Sequence, residues 1–342
     1  MPKALHRNKV VRSICCFADK FDDSLLKNLE SVRGILLKSG FEVQTKRLCL
    51  ADEPIASMDS LVNDDSIYLS AGSVERDAAS SSLAHFLSSK NTSFNLDLND
   101  GVFPEDVELL QKIISRNPEK TFSFAFTFSN RKSSPFFPSA DFQQIGFSIG
   151  LQSTDLAEGC FDLKGWFSRM RIVWDEIIEL FNKHPDFLGI DSSVAPLFSG
   201  TSSLINLIKR LHGSFDKAVT TDTFLKITDF LKSANPSPAG LCGIMFPCLE
   251  DFELAEEYDK GNFPIERNIY LAMHCGLGVD TYPVGIDESP ERILEILRLL
   301  RALSVRYNKA LSARFVSDGK ARIGEMTRFE NQYLKDVKIR PL

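Results

Sequence analysis

Histidine and tryptophan are scarce in this chain, five and two among 342 residues. His6, His85, His184, His212 and His274 lie far apart and form neither HxH nor HExxH, which argues against a dedicated zinc site. Long apolar runs are also missing. None approaches the roughly 18 residues of a membrane span, and the run at 13–18 is too short for a signal-peptide core. A cytoplasmic protein with no membrane partner is expected. Basic charge is not in excess either: 40 Lys and Arg stand against 46 Asp and Glu, a net charge of −6. That balance carries no footprint for nucleic acid. CxxC spacing is absent, and the cysteines (15, 16, 49, 160, 242, 248 and 275) are scattered and odd in number. Free thiols in a reducing compartment follow, rather than a disulfide framework. Neither GxxxxGK[ST] nor GxGxxG occurs, so no nucleotide cofactor is indicated. An oxygen-only magnesium site at aspartates is left open.

What is present is the composition of a globular protein, 43% hydrophobic and 25% charged. Short β-like runs alternate with amphipathic helices. Residues 10–18 form an apolar run, then Asp22 or Asp23 caps a helix with Leu25, Leu26, Leu29, Val32 and Leu36 inward. Residues 41–48, 66–72, 121–128 and 144–151 read as strands, and 75–89 as a single helix. Over 121–128 the alternation of Phe122, Phe124, Phe126 and Phe128 sets four rings on one side. From Asp162 to about Lys183, Trp166, Met170, Val173, Trp174, Ile177 and Phe181 draw one apolar stripe, which core packing explains better than a cofactor contact. Ser289-Pro290 opens another helix, a cap followed by Pro at the first turn. The pattern implies an α/β fold in one domain over 1–342, with a weak candidate boundary at 233–240.

Four polar loops beside apolar strands are where a ligand site would form. In 128–138, Asn130 and Arg131 suit a carboxylate or phosphate, although an Asx-type turn explains them as well. In 189–203, Asp191 is a candidate base or cation ligand and Ser193 a ligand contact, against a plain helix cap at 199–203. In 274–288, Asp280 sits mid-strand among apolar neighbours, where a charge is costly without a partner. In 306–315, Asn308, Lys309 and Arg314 offer donors, and Lys309 is a candidate partner for Asp280 or Asp191. His274 beside Cys275 does not suit a nucleophile and base, because adjacent strand residues face opposite sides.

The same loops resemble domain-of-unknown-function family 711. The resemblance runs through Gly278-Val279-Asp280, Pro283-Val284-Gly285-Ile286-Asp287, Asn308-Lys309 with Arg314, and Gly324-Glu325-Met326 with Phe329. Upstream it rests on Phe128-Ser129-Asn130 with Pro135-Phe136, and on the segment 190–196. It implies a ten-stranded α/β barrel like that of glycyl-radical enzymes and ribonucleotide reductase large subunits, and a homodimer. Radical chemistry does not carry over, because Arg322-Ile323-Gly324-Glu325 is a poor match for the glycyl loop. The cysteine such enzymes carry on a loop inside the barrel has only Cys242, Cys248 and Cys275 as candidates.

The expectation is therefore an enzyme of non-radical chemistry acting on a small anionic metabolite in a barrel cavity. Asp191 and Asp280 would be its acid/base or cation-binding groups. The alternative is a ligand-binding or scaffold protein without catalysis. Two carboxylates within reach of one cavity would favour the enzyme.

Overall fold

A computed structural model describes residues 9–130 and 132–342. In chain order the elements are β1 (Val10–Ala18), α1 (Asp23–Lys38), β2 (Glu42–Val43), β3 (Lys46–Leu50), α2 (Ile55–Leu61), β4 (Ile67–Val74), α3 (Arg76–Ser81), α4 (Leu83–Ser88), β5 (Thr92–Asp97), α5 (Pro104–Arg116), β6 (Phe124–Phe128) and β7 (Gly146–Leu151). There follow α6 (Leu163–Phe181), β8 (Phe187–Asp191), α7 (Leu204–His212), α8 (Phe215–Val219), α9 (Thr223–Ser233), α10 (Phe252–Asp259), α11 (Ile265–His274), β9 (Gly278–Pro283), α12 (Pro290–Tyr307) and β10 (Leu311–Val316).

The strands form one ten-stranded sheet in the order β8-β7-β1-β3-β4-β5-β6-β10-β9, with β2 beside β1. It is built of two parallel halves. β1, β3, β4, β5 and β6 run one way, and β7 with β8 and β9 with β10 run the other. The halves meet antiparallel at β1/β7 and β6/β10. Between the two end strands, residues 238–247 form single bridges to both sides: Ile190 with Pro238, Val194 with Ile244, Ile244 with Gly276, and Pro247 with Asp280. The α/β class and strand number agree with the sequence expectation.

Alternation along β1 separates two apolar environments, since neighbouring strand residues face opposite sides. Ile14, Cys16 and Ala18 join the large core shared with the helices. Cys15 and Phe17 join a small inner cluster with Cys49 and Ala140, against which Phe137, Phe142 and Leu188 pack. The helix stripes behave as the spacing predicts: Trp166, Met170, Val173, Trp174, Ile177 and Phe181 of α6 are buried, with Asp162 capping at Gly165 N. Ser289 caps α12 at Arg292 N, with Pro290 in its first turn. The helix expected over 75–89 is instead two, broken at Ser82. Residues 233–240 are stitched to β8, with Ile190 N donating to Ser237 O at 2.8 Å and Asn235 Nδ2 to Ile190 O at 2.8 Å.

The connection from β6 to β7 turns back along the inner face instead of over the surface. Asn95 of β5 holds it, donating through Nδ2 to Pro138 O (3.0 Å) and Ala140 O (2.9 Å). Its Oδ1 accepts from Ser73 Oγ at 2.7 Å and Thr127 Oγ1 at 2.9 Å, so the buried amide is fully used. Ser148 Oγ donates to Ser133 O at 3.0 Å from the other half-sheet.

Candidate functional site

Within the sheet lies a cavity of about 600 Å³, a volume suited to a small molecule. Its wall draws on the N-terminal ends of β3, β4 and β5 through Arg47, Tyr68 and Ser93, and on Phe136, Phe137, Pro138 and Ser139 of the interior loop. Residues 195–198 beyond β8, Asp280 of β9 and Arg314 of β10 also line it, as do Arg12, Glu250 and Tyr333. The sequence set four phenylalanines of 121–128 on one side. Phe124, Phe126 and Phe128 are in the helical core, and Phe122, in a 3-10 turn before β6, lines the cavity.

A local irregularity aims Asp280. Ala313 pairs with Val279 and Phe315 with Tyr282, so Asp280 and Thr281 together oppose Arg314. This is a bulge, a device that re-aims side chains next to sites. Thr281 takes a φ of 38°, which a β-branched residue adopts only under constraint. Asp280 Oδ1 accepts from Arg314 Nε at 2.7 Å, and Arg314 Nη2 also donates to Glu250. Arg12 Nη2 lies 3.5 Å from the other Glu250 oxygen. Burial drives the Glu250 carboxyl upward against the pull of Arg314 and Arg12. For Arg314 burial acts downward, but Asp280 and Glu250 outweigh it and hold the guanidinium above its ordinary value.

Glu250 was not singled out in the sequence. Its neighbour Asp251 turns away to accept from Ser203 Oγ at 2.6 Å, Leu204 N at 3.0 Å and Glu253 N at 3.2 Å, so one buried carboxyl serves the starts of α7 and α10. That anchorage fixes the chain beside Glu250. Burial raises Asp251 to about 6.

Arg47 is the second residue that sequence reasoning missed. Its Nε donates to Thr45 Oγ1 at 3.1 Å. Its guanidinium lies 5.0 Å from the Phe137 ring centre and 5.9 Å from that of Tyr68. Among the described residues no carboxylate forms an ion pair with it, whereas Arg12 and Arg314 are both paired. Burial, then the charge of Arg12, push it down to about 10. A cation held at such a cost is one that an anion would stabilise.

The remaining expected site residues have other surroundings. Asp191 is fully buried at the end of β8 and accepts from Ser134 Oγ (2.7 Å), Ser193 N (2.9 Å), Ser193 Oγ (2.6 Å), Leu241 N (3.1 Å) and Cys242 N (3.1 Å). Gly240 is needed beside it, at φ 72°, because a Cβ there would lie 2.2 Å from Asp191 Oδ2. Ser193 is part of the same knot and also accepts from Gly243 N. Asn130 is buried and donates to Ser139 O at 2.8 Å, while its Oδ1 has no hydrogen-bond partner among the described residues. Asn308 ends α12 in the left-handed conformation. Lys309 pairs with neither Asp280 nor Asp191; its Nζ donates to Ala272 O (2.5 Å) and Met273 O (3.2 Å) at the end of α11. Burial lowers it to about 8. None of these five lines the cavity. Arg131 lies outside the described residues.

The seven cysteines are buried and unpaired, and none lines the cavity. Burial raises the thiols of Cys242 to about 11 and Cys275 to about 12, and that of Cys248 well above its ordinary value, the reverse of nucleophile activation. The loop that enters the sheet, 129–145, contains no cysteine. His274 and Cys275 stand at the end of a helix, not in a strand. Among the described residues no group of three or more His, Cys, Asp or Glu side chains could hold a metal ion, and no helix is long and apolar enough to cross a membrane.

Comparison with known proteins matches this picture to a family without an assigned activity. A UPF0210 protein of Acetivibrio thermocellus is 25% identical over 151 residues, 41% of this chain and 32% of that protein, so the match spans about a third of the relative's length. The class Id ribonucleotide reductase alpha subunit of Actinobacillus ureae superposes over 91% of this chain and 84% of its own at 9% identity, with a TM-score of 0.41. The family model described as Uncharacterised ACR (DUF711) matches residues 105–330, well over half of the sequence, and the chain belongs to that family.

Proposed function

We propose that the cavity binds a small anionic metabolite and acts on it by proton transfer without radicals. The observation that carries this is Arg47, a guanidinium in the cavity wall with no carboxylate partner among the described residues. An anion there would regain the electrostatic stabilisation that burial removes, and the terminal nitrogens offer a fork for it. Two carboxyl groups, Asp280 and Glu250, border the same cavity and share Arg314, which favours an enzyme over a passive carrier. Asp280 uses Oδ1 on Arg314 and has Oδ2 for a substrate proton; Glu250 is the more buried of the two. Asp191, whose oxygens are taken up by the loops around it, has no part in this reading.

The test uses the full chain and Arg47→Gln, each incubated with a metabolite extract and washed, with retained compounds read by mass spectrometry. Anionic compounds held by the native chain and lost from the variant support the proposal. Equal retention by both, or none by either, defeats it.

A further inference from the structure

We infer that the ligand of this cavity is a monocarboxylate with a planar apolar body, a reading that rests on Arg47 being its anion anchor. The Arg47 guanidinium lies over the rings of Tyr68 and Phe137, 5.9 and 5.0 Å from their centres. Rings packed against a guanidinium favour approach of a ligand along its edge. Thr45 engages Nε, so the edge still open is the one between the two terminal nitrogens. A carboxylate fits that edge in plane with two parallel hydrogen bonds. A phosphate monoester brings further oxygens and a second negative charge, and here Glu250 and Asp280 already border the same space. Arg12 and Arg314 balance those two carboxyl groups, so Arg47 offers one uncompensated positive charge, which matches a monoanion better than a dianion.

The body of the ligand follows from the rest of the wall. Phe122, Phe136, Phe198 and Tyr333 face the cavity, with Phe198 and Tyr333 stacked at 5.8 Å and 20° between planes. Flat aromatic walls match a flat apolar ligand, by area and by offset stacking. Phe198 takes a φ of 59° in this position and is clamped there by Phe198 N to Glu250 O at 2.6 Å and Phe252 N to Phe198 O at 3.0 Å. The constraint keeps a large ring at the wall beside the carboxyl groups.

Calorimetric titration of the full chain with 2-naphthoate, 2-naphthyl phosphate, naphthalene-2-carboxamide and acetate tests this directly. The naphthoate is expected to bind at least about tenfold more tightly than each of the other three, and Arg47→Lys to weaken it by about tenfold or more through loss of the fork. Phe137→Leu, which removes one of the two rings and leaves the charge, is the second variant and is expected to weaken naphthoate less than Arg47→Lys does. Equal or tighter binding of the naphthyl phosphate overturns the carboxylate assignment while leaving an anion site at Arg47. Acetate as tight as naphthoate overturns the planar body. No binding of any of the three anions overturns this inference; the retention experiment with Arg47→Gln judges the anion reading separately.

Discussion

Arg314 Nε and Asp280 Oδ1 meet at 2.7 Å across two parallel strands, at the one point where β9 carries a residue more than β10. The side chains are 8% and 17% exposed, so the pair is shielded from water and its loss would be felt. Arg314→Leu leaves Asp280 unpaired and Glu250 with only the longer Arg12 contact at 3.5 Å, and is expected to lower unfolding stability by about 3–5 kcal/mol. Asp280→Asn, which keeps the shape, is expected to cost about 1–3 kcal/mol. Urea denaturation of the two variants checks the order; equal losses would mean that the pair does not act as a unit.

Asp191 is expected to matter for stability and not for binding. Its carboxylate holds Ser134 and the backbone of Leu241 and Cys242 at the end of β8. Asp191→Ala strands several buried donors at once, a loss of about 3–5 kcal/mol. The folded fraction should bind any cavity ligand with native affinity in the same titration. A selective loss of affinity with stability intact would return Asp191 to the site.

Lys309 gives a pH dependence with a definite sign. Its folded value is lowered to about 8 from 10.5, so between those limits the unfolded chain holds a proton that the folded chain has released. Stability contributed by this group therefore rises with pH across that window. The buried thiols act oppositely above pH 9, so the comparison must be with Lys309→Met. Relative to that variant, the native chain should gain about 1 kcal/mol between pH 7 and pH 9. Denaturant midpoints at both values measure it, and a flat difference would contradict it.

Asn95 is expected to control the order of the interior loop. Asn95→Ala removes the donors to Pro138 O and Ala140 O and the acceptor for Ser73 and Thr127. A cost of about 2–4 kcal/mol follows. Hydrogen exchange over 132–142 should accelerate more than in α6 or α12. Uniform acceleration would show that the loop has no separate stability.

Much of the frame was legible because single rules decided it. The helix at Asp162 needed only its apolar spacing and cap, and α12 its Ser-Pro start. Asp280 stood out because a mid-strand carboxylate among apolar residues requires a partner, and Arg314 is that partner. Arg47 did not stand out, since a polar residue near the start of an alternating strand is usually solvated; only the interior loop turns its neighbourhood into a cavity. Glu250 belongs to an irregular segment whose course depends on Asp251 and two distant helices. The partner of Lys309 differs from the expected carboxylate for a related reason. Sequence gives its charge but not the nearby end of α11, whose carbonyls are closer than any carboxylate expected for it. Ser82 broke a helix that its Ser- and Ala-rich neighbours would have continued.

The small inner cluster reaches further than its size suggests. Phe137 packs against the cluster of Cys15, Phe17, Cys49 and Ala140 and also meets the Arg47 guanidinium, 5.0 Å from its ring centre. The position of that arginine thus depends on residues that do not line the cavity. A change confined to Cys15, Phe17 or Cys49 would then move the Arg47 guanidinium with every cavity-lining side chain the same.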